Sequence, residues 1–200
     1  MANRSYLYSI DFDRTLEPRS ENKKVCGLSE WAYDIPLSYK ILVSQNTKIS
    51  PSIVFEYTEP IAIIGDFYKG REKLFLFLDE LLKADLIDKD ELKTQIQEAK
   101  EYLYDAKHEN KYIILECGEI YEMGGEALEE QNRILYEKEI LKIDETIKAF
   151  IEEIQKPPKQ TKDELAQFAR KHELTMEQAI NVEKLNLLGI CFWDEILWIT

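Results

Sequence analysis

The stretch that decides the fold is SIVFEYTEPIAIIGD, residues Ser52–Asp66. It holds two runs rich in β-branched and aromatic residues, SIVFEY and IAIIGD, which are separated only by TEP. Strands this close in the chain can pair only as an antiparallel hairpin, because a parallel crossover needs about a dozen residues or more. The stretch therefore predicts a mixed or antiparallel sheet rather than the parallel sheet of a β-α-β protein.

The chain upstream of this hairpin predicts one more strand and one helix. Residues 5–12 alternate, with Tyr6, Tyr8, Ile10 and Phe12 on one side, in the period of a half-buried strand. Residues 29–44, SEWAYDIPLSYKILVS, are expected to be helical, with Ser29 as the N-cap.

The chain downstream is mainly helical in pattern. Residues 70–86 and 88–107 carry helical apolar stripes, whereas residues 111–123, KYIILECGEIYEM, predict a strand with a bulge at Gly118. We therefore expect a single α+β domain with a small mixed or antiparallel sheet of about four strands and a helical C-terminal half.

The sequence also predicts where the chain divides. Residues 1–156 are expected to form an α+β body that ends in one long helix near residues 125–156. Its apolar seam is Ile140, Ile143, Ile147, Phe150 and Ile154. The KPPK sequence then ends this helix. Residues 159–200 are expected to form a helical hairpin with two capping boxes, at Thr161 and Thr175, and an apolar C-terminal segment docked on the body.

Composition narrows the classes of partner. The formal net charge of -13 disfavours nucleic acid and anionic membranes, because both repel an acidic chain, and it is compatible with a cationic protein partner. No apolar run approaches the roughly 18 residues that a membrane span needs, and the N-terminus does not resemble a signal peptide. The expectation is a cytoplasmic protein. Cys26, Cys117 and Cys191 form no metal-site spacing, so we expect neither a metal nor a cofactor.

One motif suggests an enzyme. Asp11, Asp13 and Thr15 are spaced D-x-D-x-T and resemble the first motif of haloacid-dehalogenase-type phosphatases, in which Asp11 would be the nucleophile and Asp13 the acid/base. Thr58 and Asp66 could stand for later motifs of that family, but Gly70 occupies the position of the second metal-binding acid. The predicted hairpin also conflicts with the parallel sheet that such a Mg²⁺-dependent phosphohydrolase requires. This enzyme remains the alternative hypothesis.

A third hypothesis is a DNA-binding regulator. Residues 161–188 resemble a helix-turn-helix, yet the recognition helix would offer MEQAINVEKLN, which has no Arg and two Glu. Readers of phosphates and guanine edges need the opposite charge. A structural helical hairpin is therefore the favoured interpretation.

An acidic cluster is the favoured binding site. It lies between residues 116 and 130, where no Lys or Arg occurs, and consists of Glu116, Glu119, Glu122, Glu126, Glu129 and Glu130. The pattern of strand, Gly-Gly turn and helix start would present these acids as one edge. A favourable acidic first turn of a helix is the structural alternative for the last three.

The opening MANRSYLYS, with GLSEWAYDIPLSYKILVS and IGDFYKG later, resembles an uncharacterised family of short bacterial proteins. The resemblance covers about the first 80 residues and implies no activity. Small acidic bacterial proteins without a catalytic set are often immunity proteins that neutralise toxins, which is an analogy of class. We therefore expect a non-enzymatic, immunity-type inhibitor of a basic toxin; the sequence leaves its oligomeric state open.

Overall fold

The framework of the protein is one antiparallel sheet. The computed structural model describes residues 3–20, 22–57, 59–84, 86–190 and 193. Its described strands are arranged in the order β2-β1-β5-β4-β3, and every pairing between them is antiparallel. They are β1 Arg4–Ile10, β2 Val25–Ala32, β3 Lys48–Ser50, β4 Ala62–Asp66 and β5 Tyr112–Glu116. The predicted α+β class is confirmed, with a 5-stranded sheet where about four strands were expected.

The hairpin that decides the fold is antiparallel, but its first strand was predicted in the wrong place. β3 ends at Ser50, opposite Ala62, and residues 51–57 form neither strand nor helix. Backbone N–H groups of this segment bond to side chains instead of to a neighbouring strand. The Ile53 N–H, for example, donates to the Glu116 carboxylate at 2.7 Å. Thr58, the candidate second motif of a phosphatase, lies outside the described residues.

The helix predicted at residues 29–44 is also wrong in its first half. Residues Val25–Ala32 form β2, and only Leu37–Leu42 is helical (α1), starting after Pro36. Ser29 is therefore a strand residue, and its hydroxyl accepts a hydrogen bond from Tyr39. The predicted bulge at Gly118 is absent from β5; the irregularity lies instead where β1 pairs with β2, between Leu7 and Tyr8.

The helices α2 (Phe67–Lys83) and α3 (Lys89–Leu103) follow the predicted stripes, whereas α4 (Gly118–Tyr121) occupies residues that were predicted as the second half of a strand. Asp88 caps α3 by accepting hydrogen bonds from the Asp90 and Glu91 N–H groups. The buried residues of α2 and α3 join α1 in a main core on one face of the sheet. None of the described helices combines the length and the apolarity that a membrane span requires.

The long helix predicted near residues 125–156 is interrupted. Helix α5 covers Leu128–Leu135, a π-helical turn covers Tyr136–Ile140, and α6 covers Ile143–Ile154. The turn is tied to the body, since Tyr136 donates to the Thr47 carbonyl at 3.2 Å and Glu139 accepts from Lys40 at 2.7 Å. The predicted seam still faces the main core: Ile140, Ile143 and Ile154 are buried, and Ile147 and Phe150 are partly buried.

The last described helices form the predicted hairpin, α7 (Lys162–Lys171) and α8 (Met176–Leu188). Both capping boxes are present, at Thr161 and at Thr175. The hairpin has a small core of its own, built on Leu165, Ala169 and Ala179, while the end of α8 places Leu185 and Leu188 in the main core. Of the apolar C-terminal segment, Ile190 is buried and Trp193 packs against the main core; the rest lies outside the described residues.

The two faces of the sheet are covered differently. The helices cover the face that carries Leu7, Ile63 and Leu115. The opposite face carries a separate apolar cluster. Strand residues and residues of the irregular segments 11–24 and 51–57 form this cluster together. Its buried residues are Tyr6, Tyr8, Ile10, Phe12, Ile53, Ala62, Ile64 and Ile114. Glu116 and Glu119 lie at one end of this second face, where they bond to Ile53 and Tyr6.

Candidate binding surface

The six predicted glutamates do not form one uniform edge. Glu116 is the last residue of β5 and is fully buried, with a relative exposure of 0%. Glu119 lies half-buried in α4, and Glu122 follows that helix in an exposed position. Glu126 and Glu129 are exposed at the start of α5, and Glu130 is half-buried there. Glu116 is therefore not part of a surface edge, which corrects the prediction for that residue.

Glu119 and Glu122 hold two tyrosines at the end of the sheet. The Tyr6 hydroxyl donates to Glu119 Oε1 at 2.7 Å, and the Arg4 N–H donates to Glu119 Oε2 at 3.0 Å. The Tyr57 hydroxyl donates to Glu122 Oε1 at 2.6 Å. Burial and the bond to Glu122 raise the pKa of Tyr57 to about 12. These carboxylates position aromatic side chains, a role that the sequence pattern did not reveal.

A neighbouring arginine offsets part of the acidic charge. Arg133 lies just beyond the acid-only stretch and donates to both carboxylate oxygens of Glu130, at 2.9 and 2.6 Å. Its hydrogen bonds hold the pKa of Glu130 below its usual range. Arg133 also donates to Glu137 at 2.6 Å. Within the described part of the chain, Glu126 and Glu129 have no ion-pair partner, and both side chains are exposed to solvent.

Two large apolar side chains are exposed in the same stretch of the chain as these acids. Met123, between Glu122 and Glu126 in sequence, is 48% exposed, and Ile134, one turn after Glu130 on α5, is 39% exposed. Large apolar groups at the surface beside charged ones are the usual composition of a protein-binding patch. We define the acidic patch as Glu122, Glu126 and Glu129 together with Met123 and Ile134.

The buried Glu116 is the unusual electrostatic feature of this region. Burial raises the pKa of its carboxyl group to about 7, although hydrogen bonds from residues 52–54, which cover it, favour the ionised form. The Ile53 N–H reaches Oε1, but Oε2 forms no hydrogen bond with any described residue. The burial could have been inferred, because Glu116 continues the same strand face as Ile114.

The aspartates of the phosphatase hypothesis have separate structural roles. Asp11 is exposed and accepts the Lys24 N–H at 2.9 Å. Asp13 is buried and accepts from Thr15 and from Lys48. Asp66 caps α2 by accepting the Lys69 N–H at 3.1 Å. In the part of the chain that the structure describes, no group of three or more His, Cys, Asp or Glu side chains is arranged to hold a metal ion.

The candidate recognition helix, α8, is packed on several sides. Asn181 accepts the Asp88 N–H at 2.6 Å, and Lys184 donates to the Leu86 carbonyl at 3.4 Å. Glu183 accepts the Lys159 N–H at 2.9 Å. These contacts attach α8 to the chain before α3 and to the linker before α7. The exposed residues of α8 are Met176, Glu177, Gln178 and Asn186.

Comparison with known proteins gives a family without a described activity. The family model "Domain of unknown function (DUF7822)" matches residues 13–157. No curated protein and no solved structure matches the chain. The matched region contains the whole acidic patch and ends at the KPPK break that precedes the helical hairpin.

Proposed function

The chain belongs to the DUF7822 family, and from its own surface we propose that it is a non-enzymatic, acidic binding protein whose partner is a basic protein. The single observation that carries the proposal is the acidic patch. It combines exposed carboxylates that have no ion-pair partner among the described residues with exposed apolar side chains.

Physical chemistry assigns different tasks to the two parts of the patch. An exposed ion pair contributes only about 1 kcal/mol, so no single glutamate should dominate affinity. Several carboxylates together raise the association rate with a basic partner, by roughly 10-fold to 1000-fold at low salt. Met123 and Ile134 supply apolar area that lengthens the life of the complex once it has formed.

The biological role that fits this chemistry is immunity against a toxin. An immunity protein acts by occupying a basic toxin in the cytoplasm and needs no catalytic group of its own. The charge of -13 is compatible with such a partner and disfavours nucleic acid and anionic membranes. The assignment to the class of immunity proteins rests on composition and analogy. The acidic patch is the surface through which such an inhibitor would bind its toxin.

The test uses a charge-matched pair of variants. The first variant is Glu122→Lys, Glu126→Lys and Glu129→Lys; the control is Glu91→Lys, Glu98→Lys and Glu101→Lys, on the exposed side of α3. Both variants change the net charge from -13 to -7, since each reversal adds two units. The partner to assay is the product of the gene next to this one, in co-expression rescue and in stopped-flow binding.

We expect the patch variant to associate at least tenfold more slowly at low salt and to protect cells poorly, while the control changes little. The defect should shrink at about 0.15 M salt, where the screening length falls to about 8 Å. Equal association rates for the two triple variants would mean that the partner does not use this patch.

A further inference from the structure

Aromatic rings form a continuous ladder from the interior to the surface at the acidic end of the sheet. The rings of Tyr8 and Tyr6 have centroids 6.3 Å apart, Tyr6 and Phe55 are 6.2 Å apart, and Phe55 and Tyr57 are 5.5 Å apart. Tyr8 is fully buried, whereas Phe55 and Tyr57 are partly exposed. Tyr6 lies opposite Glu116 in the pairing of β1 with β5, so the ladder runs from the protein surface to the strand position of the buried Glu116.

Glutamates accompany the tyrosines of this ladder. Tyr6 and Tyr57 are bonded to Glu119 and Glu122 as described above. The innermost members differ: the Tyr8 hydroxyl and Glu116 Oε2 are both buried, and neither makes a hydrogen bond to any described residue. We call the whole group the tyrosine–glutamate ladder; it consists of Tyr6, Tyr8, Phe55, Tyr57, Glu116, Glu119 and Glu122.

An unpaired buried carboxylate oxygen calls for a donor. A charge inside a protein is tolerated only when it is paired or hydrogen-bonded. Arg14 favours the ionised form of Glu116 from a distance, yet its Nε donates to the Ser52 carbonyl, at 3.3 Å. The Ser52 hydroxyl and the Val54 N–H also favour the charge, but neither reaches Oε2 in hydrogen-bonding geometry.

The segment that covers Glu116 is held mainly by side chains. Residues 52–57 contribute no strand pairing; Ile53 is fixed by Glu116 and by Arg19, which donates to its carbonyl at 3.0 Å. The rings of Phe55 and Tyr57 lie against Gly118, where a Cβ would come within 2.9 Å of Tyr57. Opening this segment breaks side-chain hydrogen bonds and exposes apolar side chains of the second cluster, Ile53 among them, but it breaks no strand pairing.

We propose that the tyrosine–glutamate ladder is a binding site for one cationic side chain of the basic partner, and that Glu116 receives the cation when segment 52–57 moves aside. Aromatic faces attract cations, and arginine in particular stacks on rings while its guanidinium pairs with a carboxylate. The site deepens the proposed function and rests on it, since it names a point at which the basic partner enters.

The proposal has a pH signature. The titratable and charged groups that interact with Glu116 are Tyr8 from β1, Arg14 from segment 11–24, Tyr57 from segment 52–57, and Cys117 and Tyr121 from the following chain. Tyr6 lies opposite Glu116 in the pairing of β1 with β5. Glu116 binds a cation only when it is ionised, and its pKa is about 7. Binding should therefore strengthen about tenfold between pH 6 and pH 8, in proportion to the ionised fraction.

The experiment uses a capped tetra-arginine peptide as the probe and a capped tetra-citrulline peptide as its neutral isostere. Calorimetry at about 0.15 M salt should show about tenfold tighter binding of tetra-arginine at pH 8 than at pH 6. Glu116→Gln should remove this pH dependence and weaken binding at pH 8. The control Glu98→Gln, on the exposed side of α3, should retain it, because that residue lies outside both the ladder and the acidic patch.

A second measurement covers the case in which Glu116→Gln does not fold. The carboxyl carbon of Glu116 in the unmodified protein, followed by NMR, should titrate at a lower pKa with tetra-arginine present and at an unchanged pKa with tetra-citrulline. An unchanged titration in both, or a pH dependence that survives in Glu116→Gln, would overturn the site.

The two proposals fail separately. Glu122 belongs to both groups, so the comparison uses the double reversal Glu126→Lys and Glu129→Lys. If this double reversal has no effect on partner association while Glu116→Gln removes the pH dependence, the ladder stands and the patch does not. The opposite result leaves the patch and removes the ladder.

Discussion

At the scale of single residues, Glu116 shows how burial converts an ordinary acid into a group that titrates near neutrality. Its environment raises the pKa from 4.5 to about 7. Between these pH values the folded protein binds more protons than the unfolded chain. The contribution of Glu116 to stability is therefore greatest below about pH 4.5 and is lost as the pH rises through 7.

The first prediction follows from this sign. Glu116→Gln keeps an acceptor for the Ile53 N–H but cannot ionise, so the variant should gain stability relative to the natural protein as the pH rises. The difference in free energy of unfolding should grow by about 3 kcal/mol between pH 4 and pH 8. Urea unfolding at several pH values measures it, with Glu129→Gln as the exposed control. A difference that does not change with pH would contradict the assignment.

The aspartates of the D-x-D-x-T motif supply a second residue-scale prediction. Burial alone would raise the pKa of Asp13, but hydrogen bonds from Lys48 and Thr15 outweigh it and lower the pKa. The stabilisation from Asp13 is therefore present above about pH 4 and is lost as the pH falls further. Asp13→Asn should cost about 1 kcal/mol near neutral pH, and Asp11→Asn less than about 0.5 kcal/mol, because Asp11 is exposed.

Neither the natural protein nor these variants should hydrolyse p-nitrophenyl phosphate with Mg²⁺, since Asp11, Asp13 and Asp66 serve a loop, an ion pair and a helix cap. Turnover that Asp11→Asn abolishes would restore the phosphatase hypothesis.

At the scale of elements, the sequence predicted those whose signals are local. Both Thr capping boxes and the apolar stripes of α2 and α3 are in the structure as their spacing indicated. The misplaced elements depend on distant partners. Residues 52–57 have strand composition. However, the Ile53 N–H, which a neighbouring strand would have bonded, donates instead to Glu116, far along the chain. Residues 25–32 became a strand because β1 offered an edge with which to pair.

The candidate site shows the same limit. The exposed Glu122, Glu126 and Glu129 could be inferred from charge spacing, whereas the ladder could not, because Tyr6 and Glu119 are 113 residues apart in sequence. The interruption at Tyr136–Ile140 also depends on distant contacts, with Thr47 and Lys40. Local patterns contain no information about such pairings.

The hairpin of α7 and α8 provides the element-scale prediction. Its caps are worth about 1 kcal/mol each, so Thr161→Ala should speed amide hydrogen exchange in α7 about fivefold. Exchange in β1 and β5 should not change, since α7 packs on α8 in a small core of its own. Thr94→Ala is the control, because Thr94 lies inside α3, where its hydroxyl donates to the Asp90 carbonyl at 3.0 Å and caps no helix end. Equal effects of the two substitutions on α7 would contradict the capping role.

At the scale of the whole molecule, the described chain is a sheet with a helical core on one face and irregular segments on the other. The main core includes residues from β1 to Ile190, so the end of α8 closes a core that begins at the N-terminal strand. The family match stops at residue 157, before that contribution. The tyrosine–glutamate ladder lies on the other side, where irregular segments rather than helices cover the sheet.

The last prediction separates the main core from the hairpin core with two leucines that are both buried. Leu188 is 0% exposed in the main core, and Leu165 is 3% exposed in the hairpin core. Leu188→Ala should cost about 2–4 kcal/mol of global stability, because it leaves a cavity in the core that the sheet shares. Hydrogen exchange in β1 and β5 should then accelerate about 30-fold or more. Leu165→Ala should accelerate exchange in α7 and the start of α8 and leave β1 and β5 unchanged. If Leu165→Ala destabilised the strands as much as Leu188→Ala, the hairpin and the body would unfold as one cooperative unit, and the division at the KPPK break would have no energetic meaning.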